Sequence, residues 1–551
     1  MFFSSKKVAA GIILAGCLAA SGTLEAQSLA SVQSVSGNAV DKTPVPQGQA
    51  PSANVNRLGG FFSDLFYDRF TDTYYGVVDR GPGGGLLPYD QRVQKFKLDI
   101  DPVTGAATNL RLLDTIHFSI PRGATANGQT GPAAFNGIDP TLDTLNGNAA
   151  VLGRSQDAEG FVVAPDGNFF VSDEYGPSIY EFRPDGSFLR AFTPPVNVVP
   201  MLGGSVNFSA LITPDTGRQA NRGYEGVAIS PDGSTLYAVL QDPLVEEGSP
   251  NGTSSRNLRI VAYDRVSGQS IHQYIYQLES VTSINTRVPA SPFKTTNQGS
   301  SIGVSSIISI NDHEFLVLER DNRGLGVGDP LATAAVSTKR IYRIDINGAT
   351  DVANQSLKGT NTLPDGVVPV QKTEVPFVDM AALLKAGGNK VFEKIEGIAI
   401  GPQLKDGSYV IVAGTDNDFS VTQTGSGEQF DVCTDGTQVT IDTPCPAGAT
   451  LIPTFYFAFK MNPGQITIAS PIDQLINAVN YLDLNPGLSN ALTKELNLAG
   501  DLASRGRKPL ACGVLDLFQL ETVLLARQIG VQSASRLLSG ADVAKKSFGC
   551  R

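Results

Sequence analysis

Three Glu-Gly pairs recur in one local pattern and are the residues best suited to chemistry. Glu159-Gly160, Glu225-Gly226 and Glu396-Gly397 each open a short apolar run, which is followed by a turn and a second apolar run that ends in acidic residues. Two antiparallel strands joined by a tight turn bring the start of the first strand beside the end of the second. We therefore expect each glutamate to lie next to the acidic residues that end its own hairpin.

Two further hairpins follow the pattern without a Glu-Gly pair. One runs from Ser63-Asp64 to Asp79-Arg80, and the other from Ser305-Ser306 to Glu319-Arg320-Asp321. If the five hairpins surround one axis, they deliver their carboxylates to one rim. The predicted metal ligands there are Asp79, Glu159, Asp173, Glu174, Asp242, Glu319, Asp321, Asp416 and Asp418, with Asp64 beside them.

Carboxylates gathered at one rim call for a counter-charge, because like charges a few ångströms apart raise each other's pKa. A hard divalent cation supplies that charge, and Ca²⁺ accepts six to eight oxygen ligands in flexible geometry. Zinc and copper fit poorly, since the chain has only three histidines and no CxxC pair. Taken singly, each acid has a simpler interpretation, because Asp and Glu beside glycine often satisfy turns.

Arginines stand among these acids. Arg80, Arg320 and Arg323 either form ion pairs with Asp79, Glu319 or Asp321, or bind the anionic group of a substrate, for which the guanidinium is well shaped. Under the second interpretation, Arg80 and Arg320 hold the substrate. Glu225 or Glu396 then acts as the catalytic base.

The elements that would position these residues are short strands. The hairpin that starts at Glu159 continues into two more strands, and four strands in so short a stretch are typical of a propeller blade. The predicted fold is an all-β β-propeller of five to six blades over residues 57–462. Five copies are legible, and a sixth would use residues 371–378. Residues 27–56 form either a flexible leader or the strand that closes the ring.

The pattern changes after Pro463. Leucines, isoleucines and valines then recur at helical spacing and are punctuated by Pro486-Gly487, Gly506 and Gly530. Residues 466–551 are therefore predicted to form a small C-terminal α-helical domain. This stretch resembles the FIMAH-type helical module of secreted bacterial proteins, notably at Asn490-Ala491-Leu492 and Ala511-Cys512. The helices are candidates for docking a partner.

Composition and the N-terminus indicate an exported protein. The formal net charge of -11 argues against nucleic-acid binding, which needs a basic surface. Lys6-Lys7, the apolar run that follows and Ala26 indicate a secretory signal over residues 1–26, and no later stretch is apolar enough to span a membrane. Leu14-Ala15-Gly16-Cys17 resembles a lipobox, so lipid attachment at Cys17 is the alternative. The predicted location is periplasmic or extracellular.

Four cysteines follow the signal segment, an even number that suggests two disulfides in an oxidising compartment. The simplest of three connectivities joins Cys433 to Cys445 and Cys512 to Cys550.

The propeller motifs resemble the "esterase-like activity of phytase" family. The matching stretches include residues 59–67, Val77-Val78-Asp79-Arg80-Gly81-Pro82, Asp157-Ala158-Glu159-Gly160, residues 172–177, Lys394-Ile395-Glu396-Gly397 and Asp416-Asn417-Asp418. The resemblance implies a secreted propeller with esterase or phosphoesterase activity. At Phe61-Phe62-Ser63-Asp64 the chain departs from the Ser-Gly step of that family, which weakens the expectation for the first blade.

Three functions follow from these observations. The first is a Ca²⁺-dependent hydrolase that cleaves a small anionic ester or phosphate ester. The second is a Ca²⁺-dependent lactonase, and the third is a non-catalytic binding propeller. Other hydrolytic sites are disfavoured, because the chain has no GxSxG, HExxH or GxxxxGK[ST] motif.

Overall fold

The computed structural model describes residues 27–336 and 338–550, apart from the side chain of Ser300. The predicted signal segment and Cys17 lie outside these residues. No helix in the described part of the chain is long and apolar enough to cross a bilayer.

Five antiparallel sheets of four or more strands make up most of the molecule. Sheets I to III each use four strands in chain order. Their bounds are Asp64–Asp68, Thr73–Val77, Arg92–Ile100 and Ala107–His117 for sheet I; Ala158–Val163, Phe169–Asp173, Ile179–Phe182 and Phe188–Ala191 for sheet II; and Tyr224–Ile229, Thr235–Leu240, Asn257–Asp264 and Ser270–Gln277 for sheet III.

Sheets IV and V depart from simple chain order. Sheet IV contains Ile302–Ser309, Glu314–Asp321 and Lys339–Asp345, and two short strands, Gln371–Lys372 and Val378–Asp379, both pair with Lys339–Asp345. The segment that we considered for a sixth blade thus forms the outer edge of sheet IV. Sheet V contains Ile395–Gln403, Tyr409–Thr415, Thr454–Lys460 and the N-terminal strand Ser28–Val35.

The N-terminal strand completes sheet V. It pairs antiparallel with Thr454–Lys460, and Val32 lies opposite Phe457. Of the two alternatives for the leader, the structure therefore has the strand. The first and last strands that the structure describes therefore share one sheet.

The sheets are arranged around a common axis. The first strand of each sheet packs against that of the next, and the first strand of sheet V returns to that of sheet I. Five apolar clusters fill the five spaces between neighbouring sheets; Phe161 and Tyr75, for example, pack between sheets I and II. The fold is mostly β and propeller-like, and each sheet buries both faces.

Insertions and short helices decorate the sheets. A three-stranded insertion, Val421–Gln423, Gln429–Val432 and Gln438–Thr440, follows the second strand of sheet V and is closed by the Cys433–Cys445 disulfide. The other short elements are the strands Ser119–Ile120, Thr125–Ala126, Gln129–Thr130, Ala133–Ala134, Met201–Leu202 and Ser205–Val206, the helices Val281–Arg287, Gln298–Ser301 and Met380–Ala386, and the 3-10 turns Val196–Val198, Gly252–Ser254, Thr295–Asn297 and Asp418–Ser420.

The C-terminal helices form a separate layer with their own core. Their bounds are Pro471–Tyr481, Pro486–Ser504, Lys508–Leu524, Ala526–Ile529 and Val531–Phe548. Leu475, Leu496, Leu515 and Phe518 are among the residues buried between them, and Cys512 is bonded to Cys550. Both disulfides thus have the simplest connectivity predicted from the sequence. We call residues 471–548 the helical module.

The helical module docks on the hairpin turns of sheets I, II and III. Asn477 Nδ2 donates to the Pro231 carbonyl at 3.2 Å, and Gln532 Nε2 donates to the Asp166 carbonyl at 2.9 Å. The Arg536 guanidinium forms a buried ion pair with Asp68 at 2.7 Å. These turns lie at the end of the strands opposite to the Glu-Gly pairs, so the module covers the lower end of the axis.

Candidate functional site

A β-bulge marks each Glu-Gly pair. The pairing register of the first strand with the second shifts between Ala158 and Gly160, between Tyr224 and Gly226, and between Ile395 and Gly397. A bulge places an extra residue in one strand and re-aims its side chain. The extra residue is the glutamate in each case, and sheet IV has the same shift at Ser305.

The residues that follow the bulges form a narrow waist around the axis. A Cβ atom built on Gly160 would lie 2.5 Å from Val227 N, and one on Gly226 would lie 2.9 Å from Ile307 N. A Cβ atom on Gly397 would lie 2.9 Å from Leu65 N. The strands therefore touch backbone to backbone, and glycine is required because no side chain fits.

Asp64 and Ser306 occupy the two waist positions that lack glycine. Asp64 Oδ2 accepts a hydrogen bond from Phe161 N at 3.0 Å, and Ser306 Oγ donates to Asp64 Oδ1 at 2.8 Å. Three sheets are thus tied together at one carboxyl. Burial raises the pKa of Asp64 to about 8, so it is largely protonated at neutral pH. Asp64 belongs to the waist and not to the rim where we expected it.

Above the waist, acidic side chains lie close together in two groups. One oxygen from each of Asp79, Asp157 and Glu159 lies within 4.8 Å of the other two, and the same holds for Asp79, Asp416 and Asp418. Asp79 belongs to both groups and joins sheets I, II and V. We call these residues, with Glu174, Glu225, Asp242 and Glu396, the upper site.

The electrostatics of the upper site are those of buried, mutually repelling acids. Burial, followed by the charge of Asp416, raises the pKa of Asp79 well above its ordinary value. Burial and the charge of Glu225 do the same for Glu159. The pKa of Asp157 rises to about 7 through burial, although Arg80 opposes the shift. These acids share a negative potential that favours a cation.

Basic residues neutralise one side of the upper site. Lys394 Nζ lies 2.6 Å from Asp416 Oδ2 and 2.7 Å from Asp418 Oδ1. Arg320 pairs with Glu396 and donates from Nε to Ser305 Oγ at 2.8 Å. The ammonium of Lys394 thus occupies the position that a cation would take between the two aspartates.

On the other side of the upper site, the carboxylate oxygens have fewer hydrogen-bond donors. Asp157 Oδ2 and Glu174 Oε1 are buried and receive no hydrogen bond from any described N–H or hydroxyl group. Arg80 Nη1 lies 3.4 Å from Asp157 Oδ2, and Arg222 Nε lies 3.3 Å from Asp242 Oδ2. The carboxyl groups of Asp157 and Glu174 contact each other, so either a proton shared between them or a bound cation would satisfy these oxygens.

Glu225 lies between the two sides. Gln241 Nε2 donates to Glu225 Oε1 at 2.6 Å and orients the carboxyl. Burial raises the pKa of Glu225 well above its ordinary value, and the charges of Glu174 and Glu396 add to the shift. A carboxyl with a raised pKa beside cationic groups is suited to proton transfer.

Three predicted ligands lie elsewhere. Asp173 accepts hydrogen bonds from the backbone N–H groups of Asp157, Tyr175 and Gly176, at 2.9, 3.1 and 3.1 Å. Its carboxylate therefore holds the turn that follows its strand, in agreement with the simpler interpretation of a lone acid beside a turn.

Glu319 and Asp321 also lie outside the upper site. Glu319 accepts from Tyr276 Oη at 2.5 Å and pairs with Lys372, whereas Asp321 pairs with the buried Lys339 at 2.6 Å. Successive side chains of a strand point to opposite faces. Arg320, which stands between them, reaches the site, so its two neighbours cannot.

Arg323 is likewise not among the rim acids. Its guanidinium stacks on the Phe293 ring at 3.7 Å and donates to the Ser291 carbonyl at 2.6 Å. Of the arginines considered from the sequence, Arg80 and Arg320 are the two that the structure brings to the upper site.

Sequence reasoning missed three residues of the site. Asp157 and Lys394 each stand two positions before a glutamate of a Glu-Gly pair, and Arg222 stands three positions before Glu225. A charged residue two or three positions before each Glu-Gly pair could have indicated them, because the loop that leads into the innermost strand also passes the rim.

Comparison with known proteins places this architecture in a family. A family model described as "Phytase-like: Esterase-like activity of phytase" matches residues 56–419, about two thirds of the chain. The match covers sheets I to IV and the first hairpin of sheet V, and it includes every residue of the upper site.

A curated relative has a similar extent. An "uncharacterized secreted protein" of Arthroderma benhamiae is 29% identical over 468 residues, which cover 70% of this chain and 88% of the relative.

Two solved structures with low similarity to this chain are a calcium-binding protein and an enzyme. Regucalcin of Agrobacterium tumefaciens, described as a calcium-binding protein, is 10% identical with a TM-score of 0.28 and is aligned over 74% of this chain and 92% of its own. A luciferin-regenerating enzyme is 10% identical with a TM-score of 0.27, and the alignment covers 80% of this chain and 97% of that enzyme.

Proposed function

Because the chain belongs to the phytase-like family named for the esterase-like activity of phytase, we propose that it is an exported, divalent-cation-dependent hydrolase of esters or phosphate esters. The observation that carries the proposal is the acidic group of Asp79, Asp157 and Glu159, whose oxygens lie within 4.8 Å of one another. Beside it, Asp157 Oδ2 and Glu174 Oε1 are buried without a hydrogen-bond donor. We treat the five sheets as five blades, which their cyclic packing supports.

The donor set fits a hard divalent cation. It consists of carboxylate oxygens, which Ca²⁺ prefers, and it offers several of them from two sheets. Asp79, Asp157, Glu159 and Glu174 would hold the ion, whereas Asp416 and Asp418 are engaged by Lys394. When bound, such a cation would polarise the scissile group and lower the pKa of water.

The chain's own residues supply binding and proton transfer. Arg80 and Arg222 are partly exposed at the rim, and their guanidinium groups can bind the anionic part of an ester. Arg320 holds Glu396 in place. Glu225, oriented by Gln241, is the group that we assign to proton transfer, because its pKa is raised and no guanidinium covers it in an ion pair among the described residues.

The proposal also includes export of the protein and a surface for a partner. Export is supported by the two disulfides and by the description of the fungal relative as secreted. Docking of a partner would have to use the outer surface of the helical module, because its inner surface contacts sheets I, II and III.

A non-catalytic binding propeller is the second candidate. The specific observation in its favour is Lys394, which neutralises Asp416 and Asp418 without an ion. In this case, Ca²⁺ would raise the melting temperature but no ester would be turned over. A lactonase would be recognised by the release of acid from lactones, which a phosphatase does not hydrolyse.

The test is turnover of 4-nitrophenyl phosphate and 4-nitrophenyl acetate by the full chain, after EDTA treatment and again after addition of Ca²⁺. We expect Ca²⁺-dependent turnover, and we expect Asp79→Asn to weaken calcium binding at least about tenfold. Asp99→Asn is the matched control, because Asp99 pairs with Arg111 on an exposed outer strand. Absence of metal-dependent turnover on both substrates would contradict the hydrolase.

A further inference from the structure

A cavity lies below the waist. It has a volume of about 200 Å³ and is walled by all five innermost strands, through Leu65, Val162, Ile229, Ile308 and Ile400. A cavity of 10–15 Å³ is enough for one water molecule by the same measure, so this one has room for a small ligand. We call it the lower chamber.

The floor of the lower chamber is formed by the helical module and by the segment that leads into it. Ile468, Ala469 and Gln474 line it from below, and Arg536 lines it beside Asp68. The waist separates this chamber from the upper site, because the glycine backbones are in contact and Asp64 is bonded to Ser306. A ligand of the lower chamber would therefore be independent of the proposed hydrolytic site.

Two arginines line the chamber, and they differ in their partners. Arg536 is neutralised by Asp68 at 2.7 Å. Arg69 has no carboxylate within 4 Å in the part of the chain that the structure describes; its Nη1 and Nη2 atoms donate to the carbonyls of Gly401 and Ile400 at 2.9 and 2.7 Å. Burial lowers the pKa of Arg69, as expected for a charge without an acidic partner.

The position of Arg69 is fixed by its surroundings. Its guanidinium lies 5.3 Å from the centre of the Tyr67 ring and 5.6 Å from that of Tyr409. A guanidinium has five N–H donors, and the two carbonyls use two of them. The guanidinium keeps three further N–H donors, which suit a carboxylate, and Arg69 lies at the edge of an apolar chamber.

We propose that the lower chamber binds an amphipathic carboxylate of the medium-chain fatty acid class, with its alkyl chain between the five strands and its carboxylate on Arg69. The apolar walls account for the alkyl chain, and the Arg69 guanidinium, which has no carboxylate partner among the described residues, accounts for the acid. Affinity should rise roughly fourfold for each methylene added, until the chamber is full.

The experiment is isothermal titration calorimetry of the full chain with decanoate, with decanol as the uncharged analogue. We expect saturable binding of decanoate and about tenfold weaker binding of decanol, because a charge-assisted hydrogen-bond pair is lost. Arg69→Gln should weaken the binding of decanoate by a similar factor and leave the binding of decanol unchanged. Arg111→Gln, on an exposed strand, is the matched control and should change neither.

Ala469→Phe tests the chamber itself. Ala469 is a half-buried floor residue that precedes the first helix of the module, so a larger side chain there fills the space with little effect on the strands. We expect both ligands to lose binding. If Arg69→Gln fails to fold, the ratio of decanoate to decanol on the unaltered chain and the effect of Ala469→Phe decide the question. No saturable decanoate binding, equal binding of decanol, or decanoate binding that survives Ala469→Phe would overturn the proposal.

Discussion

The two ends of the axis are built by the same five strands and yet have opposite chemistry. Above the waist, Asp79, Asp157 and Glu159 converge with raised pKa values, and basic residues interleave with them. Below the waist, the same strands present Leu65, Val162 and their neighbours to an apolar chamber. The bulge at each Glu-Gly pair separates the two regions, because it re-aims the glutamate to the rim while the strand beyond it continues with apolar residues.

The difference between the two ends depends most on the ion pair that attaches the helical module at the lower end of the axis. Arg536→Ala would leave Asp68 buried without its ion pair, and breaking such a pair costs about 3–5 kcal/mol. We expect a large fall in the free energy of unfolding, measured with urea. Asp68→Asn in the same chain should recover part of the loss, because the uncompensated charge disappears.

The pH dependence of that effect has a definite sign. Burial is the largest single effect on the pKa of Asp68 and raises it. The charge of Arg536 and several hydrogen bonds together lower the pKa by more, so it is lowered in the folded chain. Its stabilisation is therefore present above the unfolded pKa of about 3.9 and is lost as pH falls through the lower folded pKa. If unaltered and Arg536→Ala chains differ as much at pH 2 as at pH 7, the ion pair is not the cause.

A larger side chain at the waist should cause the next largest loss of stability. Gly160→Ala places a Cβ atom 2.3 Å from Ser172 Oγ and 2.5 Å from Val227 N, and overpacking of this kind costs about 1–3 kcal/mol. Gly425→Ala is the matched control, because a Cβ atom there meets nothing within 4 Å. Equal stability of the two variants in urea would mean that the inner strands are not in close contact.

A smaller change sharpens the boundary between the two regions. Asp64 has a pKa of about 8 in the fold, so the chain loses stability as pH rises from about 4 to about 8 while the unfolded state ionises. Asp64→Asn removes this titration and should gain at least about 1.4 kcal/mol relative to the unaltered chain between pH 5 and pH 8, the equivalent of one pKa unit. A constant difference across that range would place the carboxyl in contact with water.

Much of the fold follows from sequence patterns. Turn dipeptides and alternating apolar residues located the hairpins of all five sheets, helical spacing located the module, and local pairing of cysteines matched both disulfides. The bulges were not foreseen, because hydrophobic alternation does not reveal where one extra residue enters a strand.

The site was only partly predictable for the same reason. Glu319, Arg320 and Asp321 are consecutive, and which of the three faces the rim depends on the register of the strand. Asp64 could be assigned to the rim or to the waist, and only the close approach of the glycine backbones decides between them. The cover that the helical module forms below the axis depends on contacts such as Asn477 with Pro231, which no local pattern encodes.

The strand Ser28–Val35 gives the molecule an order of assembly. Among the described strands it is synthesised first, and it must wait for its partner Thr454–Lys460, which is synthesised last. Pairing between such distant segments is slow, although the entropy cost of closing a long loop grows only logarithmically with its length. Until that partner arrives, sheet V keeps an unpaired edge that is open to other chains, so a chain cut short before residue 454 should be prone to aggregate.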